Sequence, residues 1–228
     1  MHRRFFWISW SGLAAASALL AGALSLAGCA MAPRRPAVKP LRTTVLIMAF
    51  DTPKEYAAAP SERRGWWFGS HSVHRNPNAG ELFAEALTSA IRVRLDWVNL
   101  FDRLKLRKYF AKKRSILKSE FKDLDNDGID ELMGKISPLE FARELGADKV
   151  LTGKIVQSET FFQRVINYWS SRVEVECSLI DAGSGKTLWS ARETKKGRLD
   201  SQKAVMEAVA RRLVDRMEKE YFFSAAAQ

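Results

Sequence analysis

Apolar and polar residues alternate with different periods along this chain, and each change of period marks an element. The clearest strand is residues 172–180. Val173, Val175, Cys177 and Leu179 point one way and Arg172, Glu174, Glu176 and Ser178 the other, as in an antiparallel strand with one wet face. Upstream, Val150, Leu151, Ile155 and Val156 form a near-continuous apolar run, the pattern of a strand covered on both faces. Downstream, Asp181-Ala-Gly-Ser-Gly185 is a turn of hairpin length leading to a third strand with Trp189. Residues 43–50 (TTVLIMAF) and 97–101 (WVNLF) predict two further strands.

Elsewhere the period lengthens to that of a helix. Leu82, Phe83, Ala86, Leu87, Ala90 and Ile91 make one stripe over residues 79–95, after Asn76-Pro-Asn78 as the capping segment. Leu106, Tyr109, Phe110, Leu117 and Phe121 mark the inner side of a second helix. Ser137-Pro138-Leu139-Glu140 is a capping box that opens a short third, stopped at Gly146. Val205, Val209, Leu213 and Met217 space a C-terminal helix at i, i+4, beyond which residues 222–228 form a tail expected to pack loosely. The fold class is therefore α/β, a mixed α+β sheet of about five strands with amphipathic helices packed on it, spanning residues 42–221.

Residues 54–78 show no clear period, and long connections in compact domains are functional or disordered. This one carries Arg63, Arg64, Trp66, Trp67 and Phe68. Either these aromatics fold back on the core or they form a partner surface, since Trp and Arg dominate interface hot spots. His71 and His74 lack a third ligand and are a weak metal signal.

The N-terminus adds a compartment. Arg3 and Arg4 precede an apolar run from Phe5 to Leu26, which ends in Leu26-Ala27-Gly28-Cys29. This resembles a bacterial lipoprotein signal peptide (residues 1–28) with its lipobox, and the resemblance implies a diacylglyceryl, palmitate-bearing Cys29. Each buried CH₂ of such an anchor contributes about 0.8 kcal/mol. Ala30, in place of Asp, implies sorting to the outer membrane, facing the periplasm. Residues 29–41 then form a Pro-rich tether with Arg34, Arg35 and Lys39, extending on the order of 30 Å at about 3.1 Å per residue. The formal net charge of +11 would suggest nucleic acid in the cytoplasm. For a lipid-anchored protein it points instead to anionic envelope surfaces and no nucleic acid. With Cys29 lipidated, Cys177 is left as a buried small hydrophobe, with no disulfide within one chain.

Two further stretches carry charge chemistry. Between Arg103 and Lys118 stand eight Lys and Arg and no acid, a self-repelling run that favours an anionic contact. In residues 123–131, Asp123, Asp125 and Asp127 supply carboxylates, Gly128 the turn, Ile129 a carbonyl and Glu131 a further carboxylate. This resembles the DxDxDG calcium loops of extracellular repeats, and Ca²⁺ sites of that kind work at about 10⁻⁴–10⁻³ M. It departs from an EF-hand at Gly134 and Asp130. The alternative is an Asx/Gly turn whose acids sit against the basic helix.

Leu145-Gly-Ala-Asp-Lys-Val-Leu-Thr-Gly-Lys-Ile155 and Leu179-Ile-Asp-Ala-Gly-Ser-Gly-Lys-Thr-Leu-Trp-Ser190, with the helix over 81–94, resemble the CsgG-like, TolB-N-terminal-like and LpoB-like group of periplasmic lipoprotein domains. The resemblance implies a non-enzymatic envelope lipoprotein that assembles, as a homo-oligomer or with an envelope protein partner. A CsgG-type secretion channel needs two membrane-spanning hairpins with strands of about 9–11 residues. One could come from residues 157–171; the 54–78 stretch does not alternate, so no second hairpin and no pore are expected. A calcium-responsive envelope sensor is the other alternative. No nucleophile–base set or phosphate loop is seen, and Gly183-Ser-Gly-Lys-Thr187 lacks P-loop spacing, so no enzyme is expected.

Overall fold

The computed structural model describes residues 43–57, 61–65 and 69–222. The expected signal peptide, Cys29, the expected tether to residue 41, Trp66, Trp67, Phe68 and residues 223–228 lie outside the described residues.

The strands are β1 (Thr44–Ile47), β2 (Ser61–Gly65), β3 (Gly69–Arg75), β4 (Asn99–Leu100), β5 (Lys149–Gln163), β6 (Tyr168–Asp181) and β7 (Thr187–Arg198). The helices are α1 (Ala79–Arg94), α2 (Arg103–Glu120), α3 (Asn126–Lys135), α4 (Pro138–Glu144) and α5 (Gln202–Met217), the last continuing as a π turn over Glu218–Phe222. All seven strands join one mixed sheet. Strand β5 is its spine. Along one edge it pairs antiparallel with β6 over its whole length, and β6 pairs with β7. Its other edge is shared: Lys149 to Leu151 pair in parallel with β1, and Glu159 to Gln163 pair antiparallel with β3.

The sheet thus has two halves, each five strands across. The proximal half is ordered β4-β1-β5-β6-β7 and the distal half β2-β3-β5-β6-β7. Five strands were expected and seven exist; the two added are β2 and β3, and β3 shares one edge of β5 with β1.

Alternation sorts the proximal half into two cores. Val45, Ile47, Leu151, Ile155, Val173, Val175, Cys177 and Leu179 face α1 and α5, with Phe83, Leu87, Val209 and Leu213 packed on them. Leu46, Met48 and Val150 face the other way, onto Leu106 of α2 and Phe141 of α4. Burying a side chain of this size fully contributes about 1.5–3 kcal/mol, so this half holds the fold. Gly153 is where β6 comes closest: a Cβ there would lie 1.9 Å from the Glu176 carbonyl oxygen. The short helix is as predicted at both ends, with Ser137 Oγ capping it by accepting from the Glu140 amide at 3.2 Å and Gly146 at φ +64°.

Three expectations are corrected. The aperiodic 54–78 stretch is a 3-10 turn (Lys54–Ala57) and a β2–β3 hairpin, so a second hairpin does exist. Its polar sequence has no alternation of its own; pairing of β3 with β5 makes it a strand, a case of tertiary context overriding pattern. Asn78 makes no side-chain cap on α1; Asn76 Oδ1 instead accepts from the Asn78 amide at 2.8 Å. Phe222 is buried, with its ring 4.9 Å from that of Trp97, rather than loosely packed.

Candidate partner surface

The helical cover stops part-way up the sheet. At the level of Ser158 a bulge between Ile155 and Gln157 shifts the β5 register, which increases local twist. There Ser158 donates its amide to Tyr56 Oη at 2.6 Å, and its Oγ accepts from Gln202 Nε2 at 2.8 Å, at the start of α5. Among the described residues, neither core includes a β5 residue beyond Ile155 or a β6 residue before Val173.

Past that level the sheet carries aromatics and hydroxyls. Register places Thr160, Phe162, Trp169 and Ser171 on the α5 side, and the Thr160 and Ser171 hydroxyls are 3.0 Å apart. Glu159, Phe161, Tyr168, Ser170 and Arg172 lie on the opposite face. The β5–β6 turn, closed by the Asn167 amide donating to the Arg164 carbonyl at 3.2 Å, holds out Val165 (70% exposed) and Ile166 (62%). Such turn positions favour Gly, Asn, Asp and Ser; here only Asn167, at φ 47°, follows that chemistry. Where β7 ends, Leu199 is exposed and held at φ 59°, its amide donating to the Trp169 carbonyl at 3.0 Å. A left-handed non-glycine residue costs of order 1–3 kcal/mol unless its surroundings enforce it.

Below this apolar end, the face opposite α5 carries a charge ladder. Arg75 donates to Glu159 at 2.7 Å; Glu174 accepts from Arg192 and Arg172; Glu176 meets Lys154 at 2.9 Å and Arg192 at 3.1 Å. Burial pushes the Glu159 carboxyl up, but hydrogen bonds from Gln157 and Arg75 outweigh it and leave its pKa below the usual value. The Lys154 hydrogen bond lowers that of Glu176. Lys196 and Arg198, in register with Arg172 and Ser170, are exposed and add cations without an acid partner among the described residues. The result is an aliphatic tip, an aromatic band and a cationic margin.

Of the residues expected to bind a partner, Trp66, Trp67 and Phe68 lie outside the described residues. Arg63 and Arg64 sit on β2, in backbone register with His71 and Ser70. That hairpin lies beside the distal part of β5, so both segments suspected from the sequence belong to one end of the sheet. The exposure of Leu199 was missed; its only sequence signal was an apolar residue between Arg198 and Asp200. His71 and His74 stand three apart on a strand and so face opposite sides. The His71 ring lies 5.3 Å from Phe161, and His74 Nε2 meets Ser72 Oγ at 2.8 Å.

The acidic stretch is largely helical. Asp125 caps α3, its Oδ1 accepting from the Gly128 amide at 2.8 Å, while Asp127, Ile129 and Glu131 lie within the helix and Ile129 is fully buried. Asp130 pairs with Arg114 at 2.8 Å and Glu131 with Lys135 at 3.0 Å. Among the described residues no three His, Cys, Asp or Glu are grouped to hold a metal; for Asp123, Asp125, Asp127, Ile129 and Glu131 to converge on Ca²⁺, α3 would have to open. Half of the cations of α2 are likewise compensated. Glu81 takes Arg103 and Arg107, Glu85 also takes Arg107, Glu144 takes Lys113 and Asp130 takes Arg114. The acids come from other elements, which a local reading of charge does not see.

No family model matches the chain, and no curated protein does. Solved structures similar to it include the PelC dodecamer of Paraburkholderia phytofirmans (16% identity, 78% of this chain and 90% of that one, TM-score 0.43). Lipoprotein GNA1162 of Neisseria meningitidis is similar at 14% identity, over 77% of this chain and 97% of that one, with TM-score 0.42. The LpoB C-terminal domain of Escherichia coli is similar at 14% identity, over 68% and 82%, with TM-score 0.32. At these values the likeness carries no functional weight, which must come from the chain's own residues.

Proposed function

We propose that this chain is a non-enzymatic envelope lipoprotein, anchored in the outer membrane through Cys29, that docks an envelope protein with the distal end of its sheet. The observation that carries this reading is the exposed Val165-Ile166 turn on a sheet that has outrun its helical cover. Two exposed β-branched residues in a tight turn gain nothing for the monomer. Covered by a partner, each would leave water, and the half-buried aromatics beside them supply the wide, rigid contact that interface centres use. Leu26-Ala27-Gly28-Cys29 supplies the anchor. The described strands of the β2–β3 hairpin have five and seven residues, shorter than the about 9–11 of a membrane-spanning strand. Length, rather than the lack of a second hairpin, thus favours docking over a pore.

A photo-crosslinking residue at Ile166 in cells tests the site. The expected result is an adduct with an envelope protein, lost in Val165→Asp and in a Cys29→Ser chain released from the membrane. No protein adduct, together with full activity of Val165→Asp in vivo, would sink the reading.

A further inference from the structure

Helices α1 and α5 lie side by side on one face of the sheet and leave between them an open groove of about 600 Å³. Its apolar lining includes Leu82, Ala86, Val93, Met206 and Val214, with Val93 87% exposed and Leu82 37%. Along its α5 wall run Lys203, Glu207, Arg211 and Asp215, one ridge of i, i+4 positions with signs plus, minus, plus, minus. The spacing would allow i, i+4 pairs within the helix, yet Lys203, Glu207 and Arg211 make no ion pair among the described residues. Asp215 is shared with Arg94 at 3.4 Å, while Arg94 binds Glu218 more closely at 2.6 Å. On the other side of the same helix Arg212 and Arg216 are satisfied by Glu193. Among the described residues of α5, the unpaired charge is therefore confined to the groove wall.

An alternating row of this kind is complementary to itself when reversed. We infer that the groove face is an isologous interface between two copies of this chain, in which the α5 ridges lie antiparallel about a twofold axis midway between Glu207 and Arg211. In that arrangement Lys203 meets the partner's Asp215 and Glu207 meets the partner's Arg211, and the twofold repeats both pairs, giving four contacts of opposite sign. A parallel arrangement in register would set like charges together, so the pattern selects orientation as well as partner. The i, i+4 row is also the ridge along which helices most often pack. Ala204 and Ala208, on the outer side of the ridge, keep it low enough for close approach. Leu82 and Val93 would then leave water as the second copy covers the groove's open side.

The test uses the full-length lipidated chain in its membrane. Lys203→Cys and Asp215→Cys are placed together in one chain. They stand three helical turns apart, too far for a bond within the helix, so a disulfide between them must join two copies. Mild oxidation is expected to give a covalent dimer. Adding Glu207→Lys, or Arg211→Glu, sets like charges together at two contacts and is expected to reduce the dimer about tenfold or more; adding both exchanges the signs and is expected to restore it. Circular dichroism confirms that each variant keeps its helices. The inference is overturned if the folded double-cysteine chain gives no dimer, if it links to a different protein instead, or if the two reversals together fail to restore what each removes.

Discussion

The proximal and distal halves of the sheet share strands β5, β6 and β7, yet the same three strands do opposite things in them. In the proximal half both faces are covered, and Leu151, Val175, Cys177 and Leu179 are at most 1% exposed. In the distal half the positions that continue those rows are Thr160, Phe162, Trp169 and Ser171, and the turn beyond them is aliphatic and open. A strand that only needed to complete the core could end at Ser158. The additional length keeps Phe161, Phe162, Tyr168 and Trp169 only partly covered and leaves its tip exposed, which is the surface proposed to dock a partner.

If that contrast is correct, substitutions in the two halves should separate stability from binding. The largest effect belongs to the proximal half. Gly153→Ala forces a methyl against the Glu176 carbonyl oxygen and is expected to destabilise by about 3 kcal/mol or more in urea unfolding. A near-neutral result would show that the two strands can part there. Cys177 gives a second measure of the same half. Burial raises its thiol pKa far above the usual value, so maleimide should label it only as fast as the proximal sheet opens. Gly153→Ala should speed that labelling, and Val165→Asp should leave it unchanged.

A middle effect is expected at Asp125→Ala, which removes the α3 cap and should cost about 1 kcal/mol. Repeating the measurement in millimolar calcium also tests the suspected cation loop. With a cap alone, calcium changes neither chain; with a site, calcium stabilises the parent chain and not the variant. Smaller still is the acid response of the charge ladder. The Glu159 and Glu176 carboxyls have folded pKa values lowered from 4.5. Their contribution is therefore fully present at neutral pH and is lost as pH falls below 4.5 through the folded values. Arg75→Ala should reduce that loss, read as a shallower fall in thermal midpoint between neutral and acid pH. The smallest stability change, within about 0.5 kcal/mol, is expected for Val165→Asp, which should nevertheless abolish the crosslink from Ile166. A large loss of stability there would mean that the turn serves the fold, and the contrast between the halves would fail.

Much of this architecture could be read from local pattern. The strict alternation around Val175, the helical stripe through Leu87 and the N-cap at Ser137 each depend on neighbours within a few residues, and each prediction held. What could not be read depended on distant partners. The β2–β3 hairpin is polar and becomes a strand through β5, some ninety residues away. Arg103, Arg107, Lys113 and Arg114 of α2 look unopposed until Glu81, Glu85, Glu144 and Asp130 are brought to them. Phe222, near the end of the described chain, packs on Trp97.

By itself, then, the sequence determined the period of each element, the turns that end them and the lipobox that would set the compartment, because these are properties of short segments. Tertiary structure decided which charges are compensated, which strands share the edge of β5 and where the helical cover stops. It therefore also decided that Val165 and Ile166 are exposed rather than buried. Exposure is a relation between segments far apart in the chain, and no local period encodes it.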